Sequence, residues 1–104
     1  MALQILGQLA PAGSANKTLF TSEGQCVCSS LVCCNRGAAE EGIRVAVISN
    51  GETIENKHFQ FYDVKVPAKT TFTATLGITM SEGDYMVVYA KLGTISFSAY
   101  GQYL

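Results

Sequence analysis

Four thiols, Cys26, Cys28, Cys33 and Cys34, fall within nine residues, and sulfurs so closely spaced could hold a metal ion or pair as disulfides. Tetrahedral zinc needs every sulfur about 2.3 Å from one ion. Residues 25–35 also carry Val27, Leu31 and Val32 and read as a strand, in which Cys26 and Cys34 would lie about 27 Å apart at roughly 3.4 Å per residue. One extended strand cannot close such a site. There is no second cysteine pair, and the single histidine, His58, is distant in the chain. The thiols are therefore expected to be small, buried, mildly apolar space-fillers in a reducing compartment, with no metal and no cofactor. The alternatives are a metal shared across several chains and disulfides formed after cell lysis.

Nucleophilic catalysis requires a base within hydrogen-bond reach of the nucleophile and a third group to orient the base. With one histidine the choices are few. His58 sits among alternating aromatics in a stretch read as the strand Lys57–Val66, where it is expected at a surface or interface. The pairs Glu40–Glu41 and Glu52/Glu55 fall in loop sequence and are expected to solvate the chain, which argues against a glycosidase pair. No phosphate loop, zinc-binding H-E-x-x-H or calcium-loop spacing occurs. The expectation is a protein with no catalytic residues, hence not an enzyme.

Composition points the same way. Across 104 residues, 48 % are hydrophobic and only 14 % charged, against roughly 25 % charged in an average domain. Much of the surface must be Thr, Ser, Gly, Asn and Gln, which suits a subunit that hides itself against neighbours. The net charge of -1, with no run of either sign, argues against a nucleic-acid partner. The N-terminal Met-Ala-Leu-Gln-Ile-Leu-Gly-Gln lacks the charge and long apolar core of a secretory signal. No apolar run approaches the roughly 20 residues of a spanning helix, so no membrane partner is expected.

The elements that must position these groups are strands. From Thr71 to Thr79, Phe72, Ala74, Leu76 and Ile78 alternate with threonines; Ile95, Phe97 and Ala99 alternate likewise with Ser96, Ser98 and Tyr100. That period of two sends neighbours to opposite faces of a sheet. Further strands are expected at Ala2–Leu9, Thr18–Thr21, Gln25–Asn35, Ile43–Ser49, Lys57–Val66 and Asp84–Lys91. Gln25–Asn35 is apolar on both faces and reads as a strand covered on each side. Within Lys57–Val66, simple alternation puts Phe59, Phe61 and Asp63 on one face and His58, Gln60, Tyr62 and Val64 on the other. Asn50-Gly51 is a tight turn and Pro67 ends a strand. About eight strands with short connections define one all-β domain over residues 1–104, an antiparallel β-sandwich or jelly roll.

Residues 1–17 read as an extended N-terminal arm with a loose Pro/Gly/Ser linker, able to pair with another subunit as easily as with its own sheet. Asn16-Lys17-Thr18 fits the glycosylation acceptor pattern, but that match is frequent by chance. Alternation assigns Phe59, Phe61, Phe72 and Phe97 to the core. The candidate interface residues are then Leu3, Ile5 and Leu6 of the arm, with Tyr62, Tyr100, Tyr103 and Leu104.

The stretches Ile5-Leu6-Gly7-Gln8, Leu31-Val32-Cys33-Cys34-Asn35-Arg36, Phe61-Tyr62-Asp63-Val64, Thr75-Leu76-Gly77-Ile78-Thr79 and Ile95-Ser96-Phe97-Ser98-Ala99-Tyr100-Gly101 together resemble a family of small virion structural proteins of tailed bacteriophages, notably those infecting cyanobacteria and other aquatic bacteria. The likeness covers nearly the whole chain. Its motifs are strands and turns without reactive groups, and the clustered cysteines depart from the Ser, Val and Ala expected there. The resemblance implies a virion component assembled in the host cytoplasm: a capsid decoration or cement protein, a homo-oligomer such as a trimer, bound to the major capsid protein. Two other roles fit the same likeness, a tail, neck or baseplate subunit and a receptor- or glycan-binding module of a tail fibre.

Overall fold

Period-two alternation becomes pleated strand along most of the chain in the computed structural model, which describes residues 2–104. The strands are β1 (Gln4–Leu9), β2 (Lys17–Thr21), β3 (Cys26–Asn35), β4 (Glu41–Ile48), β5 (Phe59–Val66), β6 (Thr71–Met80), β7 (Tyr85–Ala90) and β8 (Ile95–Tyr103), with one 3₁₀ turn at Asn56–His58. They form two four-stranded antiparallel sheets, ordered β1-β8-β3-β6 and β2-β7-β4-β5. First pairs with last, second with seventh, third with sixth and fourth with fifth. The chain is thus one long hairpin, tipped by β4 and β5 and rolled so that successive strand pairs alternate between sheets, the eight-stranded jelly roll.

The core lies between the sheets. Leu31, Phe97, Ile43, Val45, Met86, Val88 and Ile95 are all fully buried there. Inward-facing residues of the edge strands β5 and β6, including Phe61, Val64, Phe72, Leu76 and Ile78, pack on this core but stay half-buried. On the opposite side the sheets close tightly: a Cβ on Gly7 of β1 would meet the Leu19 carbonyl oxygen of β2 at 2.6 Å.

Several expectations are corrected by bulges and by one folded loop. Asp63 does not share a face with Phe59 and Phe61. It sits at φ +55°, in the left-handed region that Asp tolerates better than most residues, and the register of β5 against β4 shifts beside it. Val64 and Val66 therefore turn inward and Asp63 faces solvent. Phe59 is also outside the main core. It joins Ile54 and Tyr85 over Ala46, Ile48 and Val87 on the outer face of the second sheet, because a second register shift, between the pairs Val45–Phe61 and Ala46–Phe59, turns it away from the face of Phe61, and the Asn50–Asn56 segment folds back over it there.

The fold-back buries His58, which is 6 % exposed and not the surface residue expected. Nor is β3 covered on both sides. Its inward Cys26, Cys28, Leu31 and Cys33 are fully buried, while Val27, Val32 and Cys34 on its outer face are half-exposed, as on an antiparallel sheet with one wet face.

The N-terminal arm is not free. Its strand pairs with β8 of the same chain, and its linker is tied down where the Ser14 amide donates to the Ala90 carbonyl at 2.9 Å and the Ser14 hydroxyl to the Lys91 carbonyl at 3.1 Å. Met1, the first residue of that arm, lies outside the described residues. Leu6 occupies a register shift between Ile5 and Gly7 and packs on the core.

Candidate functional site

The cysteines are divided by the pleat. Cys26, Cys28 and Cys33 point into the core and Cys34 to the outer face; among the described residues no group of three or more His, Cys, Asp or Glu could hold a metal ion. Burial, aided by the neighbouring Cys26, pushes the Cys28 thiol up to about 11, and burial pushes Cys33 up to about 12. Thiolate is the reactive species, so a thiol reagent at pH 8 should modify Cys34 promptly in the folded protein and the three core thiols only after denaturation. Prompt release of more than one equivalent from the native protein would contradict this arrangement.

His58 closes a loop. The Glu55 amide donates to its Nδ1 at 2.9 Å, which leaves the ring proton on Nε2 to donate to Glu52 Oε1, also at 2.9 Å. Tyr85 Oη donates to the Glu52 carbonyl at 2.6 Å. Hydrogen bonding from His58, then Lys57, holds the Glu52 carboxyl below the usual carboxylate range. Both ring nitrogens are thus engaged in pinning the segment that covers the second sheet.

Glu41, expected to solvate a loop with Glu40, is 2 % exposed at the start of β4. Its Oε1 accepts the amides of Leu92 and Gly93 at 2.5 and 2.9 Å, and its Oε2 accepts the Thr94 amide at 3.2 Å and the Thr94 hydroxyl. The turn between β7 and β8 is therefore built on one carboxylate. Asn35 extends the network, with Oδ1 accepting the Gly37 amide at 2.9 Å beside the Thr94 hydroxyl and Nδ2 donating to the Val66 carbonyl at 3.0 Å.

Two surfaces remain. The first, on the outer face of the second sheet, centres on Arg44. Strand register sets it opposite Tyr62 on one side and Tyr89 on the other; its guanidinium lies 4.2 and 4.7 Å from their ring centroids, a cation–π sandwich. Nε donates to Asp63 Oδ1 at 2.6 Å and Nη2 to Oδ2 at 3.4 Å. The hydrogen bonds from Arg44 hold the Asp63 carboxyl below its ordinary range. Lys65, Lys91 and Gly42 complete a concavity of about 170 Å³. Sequence reasoning singled out Tyr62 but missed its companions, because residues 44, 62 and 89 meet only through pairing.

The second surface is the outer face of the first sheet, where the ladders align side chains in rows. Thr71, Cys34 and Ser96 form one; Thr73, Val32, Ser98 and Gln8 the next; Thr75, Ser30, Tyr100 and Ile5 a third; Thr79, Val27 and Gln102 a fourth. Gln8 Nε2 donates to Ser98 Oγ along its row at 3.3 Å. None of these side chains is charged.

No protein-family model, characterised protein or solved structure matches this chain. Ile5 and Tyr100 meet in one row, while Leu3, Ile5 and Leu104 are more than half exposed. Tyr62, 56 % exposed, belongs to the Arg44 surface on the other sheet. Tyr103 packs on the core and its hydroxyl accepts the Glu23 amide at 3.2 Å; Leu6 packs there too.

Proposed function

We propose that this chain is a structural subunit of a tailed-phage virion, a decoration protein that stabilises an assembled shell by docking against it. The observation that carries the reading is the uncharged outer face of the first sheet. Charge depletion is the compositional mark of the buried centre of an interface, because an unpaired charge taken out of water is costly. Four strands about 4.8 Å apart and roughly 30 Å long offer about 500 Å² in projection. The exposed Leu3 and Ile5 at its edge extend that area toward the roughly 600–1,000 Å² per partner of specific interfaces. A subunit that binds the shell and not its separated parts stabilises the shell by RT ln(1 + [L]/Kd) per site. The jelly roll is an architecture that viral capsid domains share with lectins and cupins, which supports the reading by analogy of fold.

Quantitative mass spectrometry of purified particles tests it. Hundreds of copies per virion, with Val32→Lys lowering that number, are the expected result; a few to a few dozen would place the chain in the tail, neck or baseplate, and absence from particles would overturn the virion reading. The Arg44 concavity favours one other role, a receptor- or glycan-binding module, since clustered cations flanked by tyrosines suit an acidic sugar. In that case the purified protein should retain lipopolysaccharide and Arg44→Ala should abolish retention.

A further inference from the structure

The open side of the sandwich is not symmetric. β5 is an edge strand that carries two charged residues, Lys65 and Asp63, the latter in a left-handed bulge, the features by which natural sheets blunt an edge. β6 has no such protection between Thr71 and Thr75: no charge, no proline and regular pairing with β3, the register shift coming only beyond Thr75. Among the described residues its other side has no strand partner.

Hydrogen-bond parity shows which groups are left there. The Asn35 amide donates to the Thr70 carbonyl at 2.9 Å, and antiparallel pairs alternate between bonded and non-bonded. Phe72 and Ala74, opposite Cys33 and Leu31, are therefore bonded to β3. The N–H and C=O groups of Thr71, Thr73 and Thr75 point outward.

We infer that this edge pairs antiparallel with the same edge of a second copy, about a two-fold axis at Thr73. That register matches every outward group: Thr73 exchanges two bonds with its mate, and Thr71 exchanges two with the mate's Thr75 on each side of the axis. It sets Thr beside Thr on the outer face and Phe72 beside the mate's Ala74 on the inner face, with no like charges opposed. Phe72, half-buried with its ring edge-on to Phe61 at 5.8 Å between centroids, gains cover. The axis stands perpendicular to the sheet, so both uncharged faces point the same way. The row Gln8–Ser98–Val32–Thr73 then runs on into its mate as one continuous docking surface. The inference deepens the proposed docking role by naming the edge that joins subunits, and it makes the repeating unit a dimer in place of the trimer expected from the family likeness.

A five-residue ladder is a small contact, so association in solution should be concentration-dependent, rising to dimer between ~10 µM and ~1 mM. Sedimentation velocity reads this directly. Thr73→Lys, which opposes two ammonium groups at the axis, should weaken the dimer at least about tenfold. Gln8→Lys, on the far edge of the same face, should leave it unchanged. In a Cys34→Ser background, Thr73→Cys should form a disulfide-linked dimer on mild oxidation and Thr79→Cys should not, with near-UV circular dichroism confirming that each variant is folded. A wild-type protein that stays monomeric at ~1 mM, a trimer, or a dimer indifferent to Thr73→Lys would overturn the inference. Because particle counts and sedimentation are separate measurements, a monomer found abundantly in virions sinks only the edge pairing, and a dimer absent from virions sinks only the virion role.

Discussion

Glu41→Gln should lower the stability of the fold by about 3 kcal/mol at pH 7, since charge-assisted hydrogen bonds are worth roughly 1.5–3 kcal/mol each and stranded donors add their desolvation cost. The amide keeps one acceptor for the Leu92 and Gly93 N–H groups but turns an NH₂ toward the Thr94 amide and hydroxyl, which were accepted by Oε2. At the Thr94 amide donor then faces donor, while the hydroxyl must turn its proton toward Asn35 Oδ1 and accept from the new NH₂. For a domain of this size the midpoint of thermal unfolding should fall by roughly 12–20 °C. Burial acts to raise the Glu41 carboxyl, but the Thr94 hydroxyl and the three turn amides outweigh it and hold the group below its ordinary 4.5. The folded-state value is the depressed one. Its stabilisation is therefore complete above the unfolded-state value and is lost as pH falls from about 4.5 through the folded-state value. The gap between wild type and Glu41→Gln in urea titrations should narrow steadily below pH 4.5. A gap unchanged down to pH 3 would show that the carboxylate charge does not hold the turn.

Phe97→Ala should cost about 3–5 kcal/mol, the range for emptying a close-packed aromatic site, and so a large share of the roughly 5–15 kcal/mol available to a domain. Phe97 lies in β8 between Cys33 of β3 and Leu9 of β1 and is fully buried, so neighbouring strands held by ladders on both sides cannot collapse into the space. Phe61→Ala, on the half-buried edge strand β5, should cost about half as much because water already reaches part of the ring. Chemical denaturation of the two variants checks the order. An equal or reversed pair of values would mean that the packing between the sheets does not centre on β8.

Near β8, Gly101 marks how closely the strands approach. It pairs with Cys28 beside the register shift at Ser29, and a Cβ there would run into the Val27 carbonyl oxygen and lie 2.9 Å from the Val27 carbonyl carbon. Alternation along Ile95–Tyr100 told which side chains enter the core. It carried no trace of this backbone contact, because a bulge is one unpaired residue and leaves the composition of the strand unchanged.

The same distinction separates the surfaces. The uncharged rows could be expected in kind from the 14 % charge content and the Thr and Ser positions of two strands, yet their order across the sheet came from pairing. The Arg44 group had no signal in spacing at all. Arg44, Tyr62 and Tyr89 are separated by 18 residues or more in sequence, and a ladder register brings them together.

What the chain's sequence determined alone was the existence and number of its strands, their turns and the burial of most inward side chains, since period two and turn chemistry act between near neighbours. What only tertiary structure decided was where parity breaks, at Asp63, which turns Val64 and Val66 inward, and between Phe61 and Phe59, which leaves Phe59 outside the main core, and how the Asn50–Asn56 segment folds back to bury His58. The placement of Glu41 under the β7–β8 turn belongs with these. Asp63 and Glu41 meet groups distant in the chain, Arg44 and the Leu92–Thr94 amides, and the folded segment is tied to its sheet by Tyr85; local patterning holds no information about such partners.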